Sequence, residues 1–263
     1  MDESRETADV RSRLGAWLPA VAVGMAFADA SIVALALPSV YEEFHTTIVG
    51  VSWVLTAYAL VVAVAAVVVA VAAHRMRPIV AYVAGLALFA VASTVCGLSG
   101  DLTWLIVGRC LQGAGAAALL GGALAVLGTT TSRKRGTLLW GLSAGIGLAV
   151  GPALGGALTT VFDWRAIFLV QAPIALAAIA AAADPRARAA VDAPARSRVN
   201  PLPHLGSAFL FSGLVGALFL SVLLIIEVWR FTPLAGAAVV SALPAAMLLS
   251  RPVATRLAAF PAG

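Results

Sequence analysis

The chain has 263 residues, of which 62% are hydrophobic and only 11% are charged. About a quarter of an ordinary globular sequence is charged, so this composition excludes a soluble protein, whose surface it could not cover. The formal net charge is +5, and the positions of the basic residues decide whether that excess indicates nucleic acid or membrane topology.

Eight apolar segments predict an all-α, multi-pass membrane protein, because only helices satisfy their own backbone groups in lipid. Five runs lack Asp, Glu, Lys, Arg and His, and each reaches the roughly 20 residues needed to cross the hydrocarbon core. Those runs are residues 46–73, 78–100, 136–162, 205–226 and 231–250. The predicted spans are 14–37, 49–73, 78–99, 102–128, 136–161, 164–183, 205–229 and 232–250.

The pattern of spans and loops predicts four regions. Residues 1–13 form a tail, and residues 14–183 form an N-terminal bundle of six transmembrane helices. Residues 184–204, rich in Pro, Ala and Arg, have the composition of a flexible linker. Residues 205–263 supply about two helices of an incomplete C-terminal bundle.

The basic residues predict the orientation in the membrane. Fourteen of the seventeen Lys and Arg residues fall in the tail, the linker, the C-terminal end and the alternate loops on the same side. Such an excess marks the cytoplasmic side. The sequence therefore predicts a protein of the inner (plasma) membrane with both termini cytoplasmic. The lipid bilayer, and not nucleic acid, is then the partner that explains the charge.

Two opposite charges lie inside predicted spans. Asp29 lies eight residues before Leu37, about 12 Å from the outer end of span 1, and Arg109 lies seven residues after Leu102, about 10 Å from the same side in span 4. We expect them to share one cavity, in which proton binding to Asp29 competes with the ion pair. A purely structural pair that fixes helix register remains the alternative.

Small and polar residues near these charges add two expectations. Gln112 and Gly113 share the helix face of Arg109, so Gln112 can hydrogen-bond the guanidinium or a ligand and Gly113 admits a neighbouring helix. In span 5, glycines recur every four residues around Pro152, which favours close helix packing and a bend. An ordinary helix contact and a moving interface both fit that segment.

Taken in order, these motifs resemble the major facilitator superfamily, specifically its drug:proton antiporters with fourteen predicted spans. The matching stretches are "FADASIVALALP" (27–38), "SWVLTAYAL" (52–60), "LIVGRCLQGAGAA" (105–117), "GLAVGPALGG" (147–156), "DWRAIFLVQAPIA" (163–175) and "FTPLAGAAVVSALP" (231–244). The resemblance implies two six-helix bundles built from inverted three-helix repeats, of which this chain supplies the first bundle and part of the second.

The resemblance also implies an activity and its residues. The activity is proton-driven export of small hydrophobic or cationic compounds such as drugs, without a cofactor or a metal. Asp29 and Arg109 are the residues implied for proton coupling. The implied substrate cavity includes Trp53, Tyr58, Gln112 and Gly113, and the implied antiporter motif in span 5 comprises Gly147, Gly151, Pro152, Gly155 and Gly156.

Two departures keep a second interpretation open. In the loop "AVAAHRMRP" (70–78), His74 and Arg77 replace the family's Asp and Gly, so only Arg75 fits a loop thought to latch the two bundles. The chain also ends after eight predicted spans, which predicts a missing C-terminal half or a second chain. The alternatives are therefore a proton-coupled exporter and a truncated or degenerate relative that binds a ligand or partner without transporting. A membrane enzyme is not expected.

Overall fold

The computed structural model describes residues 3–73 and 75–182, together with eight isolated positions between residues 224 and 246. The helices are α1 (Glu3–Ile32), α2 (Leu37–Glu43), α3 (Ile48–Ala72), α4 (Pro78–Gly97), α5 (Leu102–Thr130), α6 (Arg133–Val161), α7 (Ala166–Leu169) and α8 (Gln171–Ala182). A single 3-10 turn, Val33–Leu35, follows α1. This part of the chain contains no β-strand, which confirms the all-α class.

Five of these helices are long and apolar enough to cross a membrane, and they confirm the first five predicted spans. Their apolar segments are Trp17–Leu35, Ile48–Ala72, Pro78–Gly97, Leu102–Gly128 and Lys134–Val161. The tail of residues 1–13 is helical from Glu3 onward, as the beginning of α1. The linker 184–204 lies outside the described residues, and so does the region 205–263 apart from the isolated positions.

The sixth predicted span is interrupted. The structure has an apolar helix over Ala166–Ala182, close to the predicted 164–183, whose hydrogen bonding breaks at Val170 and so divides it into the short α7 and then α8. Val170 itself keeps right-handed helical dihedral angles. Pro173 explains the interruption, since it lacks a backbone N–H and its ring would collide with the carbonyl of Leu169 in a continuous helix. The break places the polar residue Gln171 at the first position of α8.

Polar side chains fix where the long helices begin. The side-chain oxygens of Thr47, Asp101 and Ser132 each accept a hydrogen bond from the backbone N–H three residues later, at 2.9–3.3 Å. Such N-caps satisfy one of the amide groups that a helix leaves unpaired at its start. The apolar segments therefore begin immediately after a polar loop position.

In chain order the spans divide into two groups of three: α1, α3 and α4, and then α5, α6 and the α7–α8 pair. The largest contacts are all between these groups: α4 with α5, then α1 with α6 and α3 with α5. The first helix of each group thus packs on the second helix of the other group: α1 on α6, and α5 on α3. This exchange fits the pair of three-helix repeats that the family resemblance implies.

Glycine brings α1 and α6 to backbone contact. A Cβ atom on Gly147 would lie 2.9 Å from the carbonyl carbon of Gly24, and one on Gly155 would lie 2.6 Å from the carbonyl oxygen of Ile32. Glycines spaced by four residues occupy one helix face, so they form a continuous seam. Helix α6 continues through Pro152 along this seam.

The two ends of the bundle differ in charge. At one end, which we call the acidic end, the last turn of α2 carries Glu42 and Glu43, and the loops before α5 and before α7 carry Asp101 and Asp163. The opposite, basic end carries Arg75 and Arg77 before α4, and Arg133, Lys134 and Arg135 at the start of α6. The buried site lies between these two ends.

Candidate functional site

A buried ion pair lies in the middle of the bundle. Arg109 Nη1 of α5 donates to Asp29 Oδ2 of α1 at 2.7 Å, and both side chains have zero exposure to solvent. The residues come from the first helices of the two three-helix groups, which are in contact. The sequence predicts both charges at similar depth, and the structure brings them together.

The guanidinium of Arg109 is held from several directions. Its Nε donates to the carbonyl oxygen of Val54 at 3.0 Å, and its Cζ lies 4.0 Å from the ring centroid of Tyr58. A second ring, that of Phe168, lies 5.7 Å away. These aromatic faces offer cation–π attraction in a place where water does not solvate the charge. Nη2 is buried and has no hydrogen-bond partner among the described residues.

Two glutamine amides complete the surroundings of Asp29. Gln171 Nε2 donates to Asp29 Oδ1 at 2.9 Å, and Gln112 Nε2 approaches the same oxygen at 3.3 Å. Gln112 also accepts from Arg109 Nη1 and donates to Ser93 Oγ at 2.8 Å. The carboxylate therefore accepts from one guanidinium and two amides, which offsets part of the desolvation of a buried charge.

The four residues expected to line a substrate cavity lie in three different surroundings. Tyr58 and Gln112 are buried in the ion-pair cluster, where the Tyr58 hydroxyl donates to the carbonyl oxygen of Ala26 at 3.3 Å. Gly113 faces the backbone of α3, since a Cβ there would lie 2.8 Å from the Tyr58 carbonyl oxygen. Trp53 is 47% exposed on the outer surface of the described bundle.

Ser93 and Gln171 belong to the cluster and were missed by sequence reasoning. Ser93 lies in α4, a helix with no charge to draw attention to it. Gln171 is a lone polar residue in the apolar stretch "AIFLVQAPIA", and that isolation was the available signal. A buried polar side chain needs a partner, so this glutamine could have been assigned to a site, although not to Asp29 in particular.

The glycine motif of α6 reaches the same region. A Cβ on Gly151 would lie 2.8 Å from the carbonyl oxygen of Ala28, the residue before Asp29. Pro152 and Gly156 are buried beside it. The motif therefore packs against the segment of α1 that carries the carboxylate.

The residues of the degenerate loop motif lie away from this cluster. Arg75 and Arg77 are exposed at the basic end, where the Arg75 backbone N–H donates to the carbonyl oxygen of Ala72 at 2.9 Å. His74 lies outside the described residues. The two arginines thus contribute nothing to the surroundings of Asp29.

A second ionic cluster closes the acidic end. Arg165 donates through Nη2 to Glu43 Oε1 at 2.6 Å and through Nη1 to Glu43 Oε2 at 3.0 Å, while Trp164 Nε1 donates to Oε2 at 2.6 Å. Arg165 Nη2 also reaches the carbonyl oxygen of Ser99 at 3.2 Å. These bonds join the end of α2 to the loops before α5 and α7.

Glu43 and Arg165 shift each other's pKa. Hydrogen bonds from Arg165, and then from Trp164, lower the pKa of Glu43 below its ordinary value. The hydrogen bond to Glu43 is also the main reason why the pKa of Arg165 is raised. Both groups therefore remain ionised over the whole physiological range.

The described part of the chain holds no cluster of metal ligands. No three His, Cys, Asp or Glu side chains converge within residues 3–73 and 75–182. Two surface grooves, of about 550 and 390 Å³, lie at the acidic end, the first lined by Val91, Leu98 and Trp104 and the second by Glu42 and Asp163.

Comparison with known families agrees with this architecture. The sequence profile of the Major Facilitator Superfamily matches residues 20–261. A crystal structure of a bacterial homolog of the human lysosomal transporter Spinster, inward-facing and unoccupied, superposes with a TM-score of 0.62 at 17% identity. That alignment covers 96% of this chain and 64% of the other. At this identity the likeness concerns the fold.

Two curated relatives are similar in sequence. The tetracenomycin C resistance and export protein of Streptomyces glaucescens is 33% identical over 177 residues, covering 65% of this chain and 33% of the relative. The methylenomycin A resistance protein of Bacillus subtilis is 33% identical over 186 residues, covering 69% of this chain and 39% of the relative. The chain thus matches between about a third and two fifths of the length of these relatives.

Proposed function

Because the chain belongs to the Major Facilitator Superfamily, we propose that its described helices form the proton-binding bundle of an exporter of small hydrophobic or cationic compounds. The names of the relatives support export of drug-like molecules, since they include a tetracenomycin C export protein and a methylenomycin A resistance protein. The same membership supports a transporter over an enzyme. The lipid bilayer, protons and a small-molecule substrate are the proposed partners.

The buried pair of Asp29 and Arg109 is the observation that carries this proposal. An ion pair that is fully excluded from solvent within a membrane bundle costs free energy to maintain, and such pairs tend to mark proton and ion pathways. Register between helices can be fixed by apolar packing alone, as the glycine seam of α1 and α6 does. A functional role accounts better for the retained charges.

The proposed coupling follows from charge balance. With Asp29 ionised, Arg109 is neutralised, and the cluster as a whole carries no net charge. A proton on Asp29 removes this counter-charge and leaves the guanidinium uncompensated in a medium of low dielectric constant. Proton binding and release at Asp29 therefore change the energy of the arrangement of α1 and α5. We assign the driving step of export to this change.

The proposed orientation places the basic end in the cytoplasm and the acidic end outside. Its support is the concentration of exposed Arg and Lys residues in the loops of the basic end. Both termini are then cytoplasmic in the inner membrane. Labelling by a membrane-impermeant thiol reagent would test this orientation. Ser132→Cys should react only after the membrane is opened, and Glu42→Cys should react in intact cells.

A second candidate is a relative that binds a ligand or partner chain and does not transport. The loop sequence "HRMR" favours it, because it lacks the acid that the family uses at this position. The two candidates differ in a directly measurable way. The exporter uses a proton gradient to move a substrate against its own gradient, whereas the second candidate does not.

Transport in proteoliposomes tests the proposal. The purified chain is reconstituted with an imposed pH gradient, and movement of ethidium, a hydrophobic cation, is followed by fluorescence. We expect gradient-dependent movement that Asp29→Asn abolishes. Asp101→Asn is the matched control, because it makes the same chemical change at an exposed N-cap where asparagine also caps. Wild-type chain that binds ethidium without moving it would support the second candidate instead.

A further inference from the structure

The amide of Gln171 is fully engaged. Its Nε2 donates to Asp29 Oδ1 at 2.9 Å and to the carbonyl oxygen of Ile167 at 2.8 Å, which uses both amide hydrogens. Its Oε1 accepts from Gln112 Nε2 at 3.2 Å. The side chain is 3% exposed. It therefore has one orientation in which all of its polar atoms are satisfied.

Gln171 is the principal amide donor to Asp29. Gln112 Nε2 has two hydrogens but three acceptors in range: Ser93 Oγ at 2.8 Å, Gln171 Oε1 at 3.2 Å and Asp29 Oδ1 at 3.3 Å. The longest of these contacts is the one to Asp29. Gln171 at 2.9 Å thus supplies the better bond to Oδ1, as Arg109 does to Oδ2.

This arrangement suits the ionised carboxylate and opposes the protonated one. The Arg109 guanidinium and the amides of Gln171 and Gln112 donate to Asp29, and the Tyr58 hydroxyl also hydrogen-bonds this carboxylate. A proton on Oδ1 would create a donor that requires an acceptor. The Gln171 amide, the nearest amide donor to Oδ1, offers such an acceptor when it rotates and presents Oε1. That rotation breaks the bond to Ile167 in α7 and the bond from Gln112 in α5.

We propose that Gln171 is a positioning residue that holds Asp29 ionised and that must rotate before a proton binds at Oδ1. In this role Gln171 connects the protonation of Asp29 in α1 to the helices α7 and α8. The inference rests on the proposed role of Asp29 as the proton carrier. It adds a residue outside the ion pair that controls when the proton binds.

The titratable and charged groups around Asp29 come from three helices. Arg109 is contributed by α5, Tyr58 by α3 and Cys96 by α4, whose Sγ lies 3.8 Å from Gln112 Oε1. Helices α7 and α8 contain no charged residue, and the charged residues of α6 are confined to its first turn at the basic end. A change at Gln171 therefore alters hydrogen bonding to Asp29 without altering the charges around it.

Infrared titration of the Asp29 carboxyl group tests the inference. The purified full chain is titrated, and the C=O band of a protonated carboxyl group is assigned to Asp29 by its loss in Asp29→Asn. Gln171→Met keeps the side-chain length and removes the amide. We expect the midpoint of the band to move to higher pH, because the ionised carboxylate loses a hydrogen bond.

Thr94→Val is the matched control. It removes a side-chain hydrogen bond of the same helix as Ser93, to the carbonyl oxygen of Ala90 and outside the cluster, so its midpoint should stay close to that of the wild type. If Gln171→Met does not fold, Gln171→Asn replaces it, because its amide is one methylene too short to reach Asp29, and the same shift is expected. An unchanged midpoint in a folded Gln171 variant overturns the inference, and so does an equal shift in Thr94→Val.

The measurement separates this inference from the proposed function. If the wild-type chain shows no carboxyl band that depends on Asp29 at any accessible pH, the role of Asp29 as proton carrier is wrong and the inference falls with it. If the band titrates and Gln171→Met leaves its midpoint in place, only the role of Gln171 is wrong. Neither result depends on transport.

Discussion

Glu43 and Arg165 meet through two parallel hydrogen bonds of 2.6 and 3.0 Å, although they lie 122 positions apart in the chain. This two-point geometry is the strongest that a carboxylate and a guanidinium can form. Arg165 also donates to the Ser99 carbonyl oxygen. The pair therefore connects the end of α2 to the loops before α5 and α7 at the acidic end.

Replacing the carboxylate of this pair should weaken the acidic end modestly. Glu43→Gln removes the charge while retaining an oxygen for the indole N–H of Trp164. The Arg165 side chain is 28% exposed and the Glu43 side chain 40%. Solvent screening therefore limits the loss in the free energy of unfolding to about 1 kcal/mol or less. Thermal unfolding in detergent measures it. Glu42→Gln makes the same change at the exposed neighbour and should unfold at the same temperature as the wild type.

The same pair predicts a pH dependence with a definite sign. The lowered pKa of Glu43, caused chiefly by the hydrogen bonds from Arg165, means that its contribution to stability is complete above the ordinary carboxyl range and is lost as pH falls through the lowered value. The stability difference between wild type and Glu43→Gln should therefore be constant near neutral pH and vanish only in strong acid. A difference that already fades between about pH 6 and 7 would contradict this assignment.

The losses of stability caused by substituting Asp29 and Arg109 should not be additive. Asp29→Asn leaves Arg109 buried without a counter-charge, and removal of one partner of a buried pair costs about 3–5 kcal/mol. Asp29→Asn/Arg109→Met removes both charges and should recover part of that loss. Unfolding midpoints of the two single variants and the double variant measure the coupling. If the losses of the two single variants simply add in the double variant, the two side chains do not share one site.

The glycine seam predicts opposite outcomes for two similar substitutions in α6. Gly147→Ala places a Cβ within 3 Å of the Gly24 backbone and should lower the unfolding temperature, because backbone atoms cannot move aside. Gly141→Ala meets nothing within 4 Å and should be neutral or stabilising by up to about 1 kcal/mol, since alanine favours the helix. Equal behaviour of the two variants would show that α1 and α6 do not pack through this face.

The sequence is most informative where a simple geometric rule applies. A fixed rise per residue converts positions into depths, which is why the sequence alone places Asp29 and Arg109 at one level. The spacing of Gly147, Gly151 and Gly155 similarly defines a single helix face. Spans 2, 3 and 5 follow from charge-free runs of sufficient length, and spans 1 and 4 follow from apolar runs that each contain one charge.

Contacts that depend on how helix faces rotate against each other could not be predicted in this way. Gln171 reaches Asp29 across the bundle, 142 positions along the chain, from a helix that carries no charge to suggest the contact. The pairing of Glu43 with Arg165 depends on the meeting of two loops that no local rule connects. Both relationships are non-local, and the spacing of residues along one sequence does not specify them.

The seam between α1 and α6 and the outer face of α3 differ in how tightly they are packed. On the outer face of α3, the side chains of Leu60, Val64 and Val68 are more than half exposed. Along this face of α3, one apolar side chain can replace another without meeting a neighbour among the described residues. Along the seam an added carbon atom meets backbone, so substitution of a glycine there carries a penalty. Over evolutionary time, descendants of this chain should diverge on α3 while the glycines opposite α1 stay fixed, which makes the seam the better marker of common ancestry.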